Sequence, residues 1–140
     1  MMRTQMISRL FLLLFTLSLL VSCSEDQTTA PPTSNAPLAK FSDIKAKVFT
    51  NCLGAQCHSS AGNQGNLVLE SNVAYINLVG VQSVLFPQFK RVEAGNSANS
   101  IIIKILKGQV NPRMPLNGNP LDAATIDSLA KWIDLGALNN

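Results

Sequence analysis

Hydrophobic and polar positions divide this chain of 140 residues into three zones. Residues 10–22, LFLLLFTLSLLVS, are almost entirely apolar and follow an opening stretch, Met1 to Arg9, that carries Arg3 and Arg9 and no acid. Residues 24–37, SEDQTTAPPTSNAP, hold three prolines and no aliphatic side chain larger than alanine, too little apolar surface to offset the entropy of ordering them. From Leu38 to Asn140 apolar positions recur at helical spacing. The clearest helix is the last: Asp122 is a good N-cap, Ile126, Leu129 and Ile133 share a face with Trp132 beside them, and Gly136 stands at the expected C′ position. A helix is also expected from about Ser97 to Lys107, stopped by Gly108, and another from about Ser42 to Thr50, with Phe41, Ile44 and Val48 on one stripe and Phe49 adjoining it. SNVAYINLVG, residues 71–80, reads as a fourth, shorter helix, although its Val, Tyr and Ile equally favour a strand. QFKRVEAGN, residues 88–96, reads as a weak strand or extended loop. There is no internal repeat, and the class expected is mostly α.

The first two zones change the picture of where the protein works. A positive start followed by an apolar run too short to span a bilayer comfortably is a secretory signal, residues 1–22. Leu20-Val21-Ser22-Cys23 resembles a bacterial lipobox, which implies cleavage before Cys23 and a diacylglyceryl group on its sulfur; the alternative is an ordinary signal peptide cut nearby, with Cys23 a free thiol. Residues 23–37 then form a lipid-anchored flexible linker, spanning on the order of 20 Å as a coil and at most roughly 50 Å extended. Residues 38–140 form one small domain with a modest core. The expected location is periplasmic or otherwise extracytoplasmic, at a bacterial membrane. Without Arg3 and Arg9 the mature chain has nine Lys and Arg against eight acids, a net charge near +1, so the basic balance belongs mostly to the signal. No Lys/Arg cluster with interleaved aromatics points to nucleic acid.

Two cysteines and the only histidine remain, all within Cys52-Leu53-Gly54-Ala55-Gln56-Cys57-His58. Haem attachment uses Cys-x-x-Cys-His, in which two thiols add to porphyrin vinyl groups and the adjacent imidazole binds iron. Here two extra residues separate the thiols, and the adjacency of Cys57 and His58 is kept. Gly54 and Ala55 are small enough for the loop to bulge, Gly54 through backbone angles closed to other residues. Other readings are a Cys52–Cys57 disulfide with His58 on the surface, a zinc site lacking an obvious fourth ligand, and a redox dithiol, which would want two intervening residues.

A second axial ligand cannot be an imidazole from this chain, because His58 stands alone. Of four methionines, Met1, Met2 and Met6 leave with the signal, so Met114 remains, in NPRMPLNGNP between Pro112 and Pro115. A thioether on a stiffened loop suits iron, while a gap-filling core methionine is the plainer alternative. Trp132 reads as core, its indole N–H offering an alternative bond to a haem propionate. Arg91 and Arg113 read as isolated surface charges, and Tyr75 as packing.

The order of these parts, with CHSS, GNLVLESNVAY, LVG, RVEAGNSANSIIIKIL, MP and IDSLAKWIDLGA, resembles the class I c-type cytochromes, and within them the planctomycete-type cytochrome c domain, over nearly all of Leu38 to Ala137. The resemblance implies a small helical domain around one covalently attached haem c, with thioethers from Cys52 and Cys57, His58 proximal and Met114 distal. It also implies that the helix before Cys52 crosses the terminal helix near Val48, Phe49 and Trp132. The enlarged cysteine loop departs from the family pattern at Cys52. An apolar wall from Leu67, Leu69, Ile102, Ile103, Leu106 and Leu116 is expected around the group. The function implied is a membrane-tethered carrier of single electrons, docking transiently on redox partner proteins, rather than an enzyme. Two alternatives stand beside it: a haem enzyme or gas sensor with a labile Met114, and a disulfide-containing binding lipoprotein without haem.

Overall fold

The structure is a computed structural model and describes residues 39–140. The expected signal at 1–22, the expected lipid-anchored linker at 23–37 and the proposed lipidation site Cys23 lie outside these residues. The fold is mostly helical and, among the described residues, contains no strand. Within residues 39–140, four α-helices, α1 (Phe41–Lys47), α2 (Ala74–Leu78), α3 (Ile101–Leu106) and α4 (Ala123–Asp134), are joined by long loops that carry three 3₁₀ turns, Phe49–Cys52, Gln64–Asn66 and Ser97–Asn99. None of these helices is long and apolar enough to cross a membrane.

The terminal helix forms as its sequence dictates. Asp122 accepts from Thr125 N at 2.8 Å, and Gly136 leaves the helix with φ 99°. Ile126, Leu129, Trp132 and Ile133 are buried. Their partner is α1, where Phe41 stacks on Trp132 with ring centroids 5.2 Å apart and also meets Phe49 and Tyr75 edge-on. The indole N–H of Trp132 donates to Leu138 O at 2.8 Å, which commits it to the core rather than to a ligand. Asn140 returns to the start of α1: Phe41 N donates to its Oδ1 and Ser42 N to its carbonyl, each at 2.9 Å.

Two expected helices are interrupted, each by a side chain competing for backbone bonds. The one expected over 42–50 changes to 3₁₀ after Val48, where Thr50 Oγ1 donates to the carbonyls of Lys45 and Ala46. The tighter turn buries Val48 and Phe49 together and carries the helix on to Cys52. The one expected over 97–107 is broken at Ser100, which is fully buried; its hydroxyl donates to Asn96 O at 2.9 Å and accepts from Glu93 N at 2.8 Å. The preceding turn is pinned to α4 by Asp134, whose carboxylate takes both the N–H and the hydroxyl of Ser97. Residues 88–96 form an irregular loop rather than a strand, with turns at Pro87–Gln88 and Ala94–Gly95 and isolated bridges from Val79 to Val92 and from Gln82 to Lys90.

Candidate functional site

The 3₁₀ turn that ends at Cys52 delivers the first thiol to the edge of the core. Cys52 is half-buried, its Sγ 3.5 Å from Val48 O, and desolvation, followed by the nearby Cys57 sulfur, pushes its pKa up. Cys57 is exposed, and both thiols are free. The loop between them closes on itself: Cys57 N donates to Gly54 O at 2.8 Å and His58 N to Cys52 O at 3.0 Å. The two extra residues are thus absorbed in a compact turn that keeps Cys52 beside His58. Gly54 lies outside the left-handed region, contrary to the expectation that it supplies unusual backbone angles; what it supplies is space, since a Cβ there would stand 3.1 Å from Cys57 Sγ. A glycine not singled out from sequence is tighter. A Cβ on Gly62 would lie 2.6 Å from both the N and the O of Cys57.

His58 follows directly, and its ring is oriented by the next turn. Nδ1 lies 3.1 Å from Gln64 O and 3.2 Å from Leu67 O. Carbonyls only accept, so Nδ1 carries a hydrogen, and in the neutral ring that leaves the lone pair on Nε2, the tautomer a metal-ligating imidazole needs. The turn can present both carbonyls because Asn63, Gly65 and Asn66 all have positive φ, 45°, 62° and 54°. Leu69 N donates to His58 O at 2.7 Å, and Glu70 accepts from both the N–H and the hydroxyl of Ser60, bonds that hold its carboxyl below the usual carboxylate range.

Arg91 is the clearest departure from the surface role expected of it. It is 7% exposed, donating from Nη1 to Asn77 O at 2.7 Å and from Nη2 to Gly65 O and Asn66 O at 3.0 and 2.8 Å. Burial lowers its pKa, but a guanidinium stays charged. The only sequence signal for this role is an arginine directly before Val92, and these two are the buried residues of an otherwise more exposed loop.

Met114 lies in a loop tied at both ends. The stem of Arg113 packs on Gly108, where a Cβ would come within 3.1 Å of Arg113 Cδ, and Arg113 Nη2 donates to Gly118 O at 2.8 Å. Arg113 is therefore a half-buried clamp rather than an isolated surface charge, with Nη1 buried and without a hydrogen-bond partner among the described residues. Met114 N reaches Ile105 O at 3.3 Å. Its side chain is half-buried against the core, as are Cys52, Leu53, Leu67 and Ile102. Of the expected apolar wall, Leu69, Ile103 and Leu106 are buried and Leu67 and Ile102 half-buried, but Leu116 is 62% exposed. A groove of about 520 Å³ is lined by Phe49, Lys45, Leu53, Leu69 and Glu70 among others, and neither His58 nor Met114 lines it.

No protein-family model, curated protein or solved structure matches the chain.

Proposed function

We propose that this chain is a monohaem c-type cytochrome, lipid-anchored at Cys23 to a bacterial membrane and carrying single electrons between extracytoplasmic redox proteins, in a domain of the class I, planctomycete-like kind. The observation that carries the reading is His58 itself: its Nδ1 faces two carbonyls, its Nε2 is left for iron, and it stands next to one free thiol and across a closed turn from a second. The residues fit a haem c. Cys52 and Cys57 would hold it covalently, and His58 Nε2 and Met114 Sδ would take the two axial positions. A haem so held supplies reversible one-electron exchange at its iron, with methionine raising the potential relative to a second imidazole.

The chain's own part is to hold and to shield. The turn at 63–67 fixes the imidazole tautomer, the Arg113 clamp and Ile105 carbonyl hold the methionine loop, and Leu69, Ile103 and Leu106 supply a low-dielectric wall that disfavours the more highly charged oxidised state. The exposure of Cys57 supports an attachment turn at the surface, where a transient partner can approach.

The test is expression of the full chain in a host that matures c-type cytochromes, followed by haem staining after denaturing electrophoresis and a redox titration of the native protein. A stained band and a reversible one-electron wave are expected. A colourless protein with Cys52 bridged to Cys57 would sink the reading in favour of a non-haem lipoprotein. Rapid, complete carbon monoxide binding by the reduced protein would favour a sensor or enzyme with a labile Met114.

A further inference from the structure

Four consecutive backbone carbonyls in the turn after His58 are shared between two side chains. The outer two, of Gln64 and Leu67, face His58 Nδ1 at 3.1 and 3.2 Å. The inner two, of Gly65 and Asn66, accept from Arg91 Nη2 at 3.0 and 2.8 Å. Gly65 and Asn66 both have positive φ, and their two carbonyls face Arg91 while the flanking pair faces His58. Arg91 is itself fixed. Its N donates to Val81 O at 2.7 Å, its O accepts from Ile102 N at 3.2 Å, and its Nη1 reaches Asn77 O, while Asn77 Nδ2 in turn donates to Val68 O at 3.0 Å.

We propose that Arg91 is a positioning residue for His58: its guanidinium holds the inner carbonyls of the 64–67 turn so that the outer ones keep the imidazole in one tautomer and one orientation, with Nε2 presented to the iron. The inference rests on the haem reading for its purpose, but the coupling of Arg91 to the imidazole exists without the haem. Two features make a buried arginine suited to the task. Its planar fork bonds several acceptors in a fixed geometry, and its charge makes each bond about twice as strong as a neutral one. A turn with three left-handed residues has little intrinsic preference for this shape and needs such an anchor.

The experiment compares the full chain with Arg91→Gln and Arg91→Lys, all matured with haem, by NMR of the His58 Nδ1–H. In wild type this proton should exchange slowly with solvent. Arg91→Gln should speed its exchange about tenfold or more, the factor one hydrogen bond to a charged group is worth. Arg91→Lys, which keeps a cation but not the fork, should give an intermediate rate. The Trp132 indole N–H, bonded to Leu138 O, is the internal control and should not change. Equal acceleration of both protons means general loosening and overturns the proposal, as does an unchanged His58 proton with haem attached. Should Arg91→Gln fail to fold, Arg91→Lys decides alone, faster His58 exchange supporting the proposal and wild-type exchange overturning it. If wild type carries no haem, the haem reading has failed, and Arg91 is then read on the haem-free chain from imidazole ¹⁵N shifts. A single Nδ1–H tautomer in wild type that becomes a mixture in the variants supports the coupling, and an unchanged tautomer overturns it.

Discussion

A Cβ on Gly62 would fall 2.6 Å from two backbone atoms of Cys57, closer than packed atoms ever sit, and neither can rotate away. Gly62→Ala should therefore push the Cys57 turn outward, at a cost of about 1–3 kcal/mol, visible as a lower urea midpoint and a smaller fraction of chains with covalent haem. The two thiols differ by environment rather than chemistry. Cys57 is exposed, while burial of Cys52 disfavours its thiolate, the reactive form. In the haem-free protein at pH 8, an alkylating reagent should label Cys57 well before Cys52; equal rates by mass spectrometry would contradict the environments described. On the proposed haem reading, Met114→Ala should keep the covalent haem, lose the far-red methionine-to-iron charge-transfer band and lower the midpoint potential by on the order of 0.1 V, a fraction of the ~0.8 V that axial ligands span. A potential and band that both persist would remove Met114 from the site.

Among the elements, α4 was legible in full because every signal for it is local: cap, stripe and terminating glycine all lie within fifteen residues of chain. Its cap also sets a pH dependence. Bonds from the Thr125 hydroxyl and N–H hold the Asp122 carboxyl below its ordinary pKa. A depressed folded-state value means stability that is present above the unfolded pKa, about 4, and lost as pH falls through the folded value. Asp122→Asn keeps a capping oxygen but cannot titrate, so its melting temperature should fall less steeply than that of wild type between pH 5 and 3. Parallel curves for the two would show that the cap charge is not part of the acid response. The α1 and α3 regions were legible as apolar stripes but not in their breaks. Thr50 and Ser100 take backbone bonds that a helix pattern assigns elsewhere, one at an exposed position and one fully buried, and nothing in the local pattern marks which hydroxyl will do so.

In the whole molecule, α1 and α4 are brought together by Phe41 on Trp132, with Asn140 closing the seam. Trp132 is 1% exposed, and Trp132→Ala should cost about 3–5 kcal/mol in chemical denaturation followed by circular dichroism. A change below about 1 kcal/mol would place the core elsewhere. The sequence alone determined the helical class and the terminal helix, and it singled out Cys52, Cys57 and His58 as a candidate set, because residue type and spacing along one segment carry that information; Met114 joined them only as the one methionine left after the expected signal. Only the tertiary structure decided that Gly54 lies close against the Cys57 sulfur with no left-handed torsion angles, that Gly62 bears on the Cys57 backbone, and that Arg91 lies inside, gripping the turn that orients His58. Those roles depend on which backbone atoms from distant parts of the chain end up within a few ångströms of a side chain, a quantity that no local pattern of polar and apolar residues encodes.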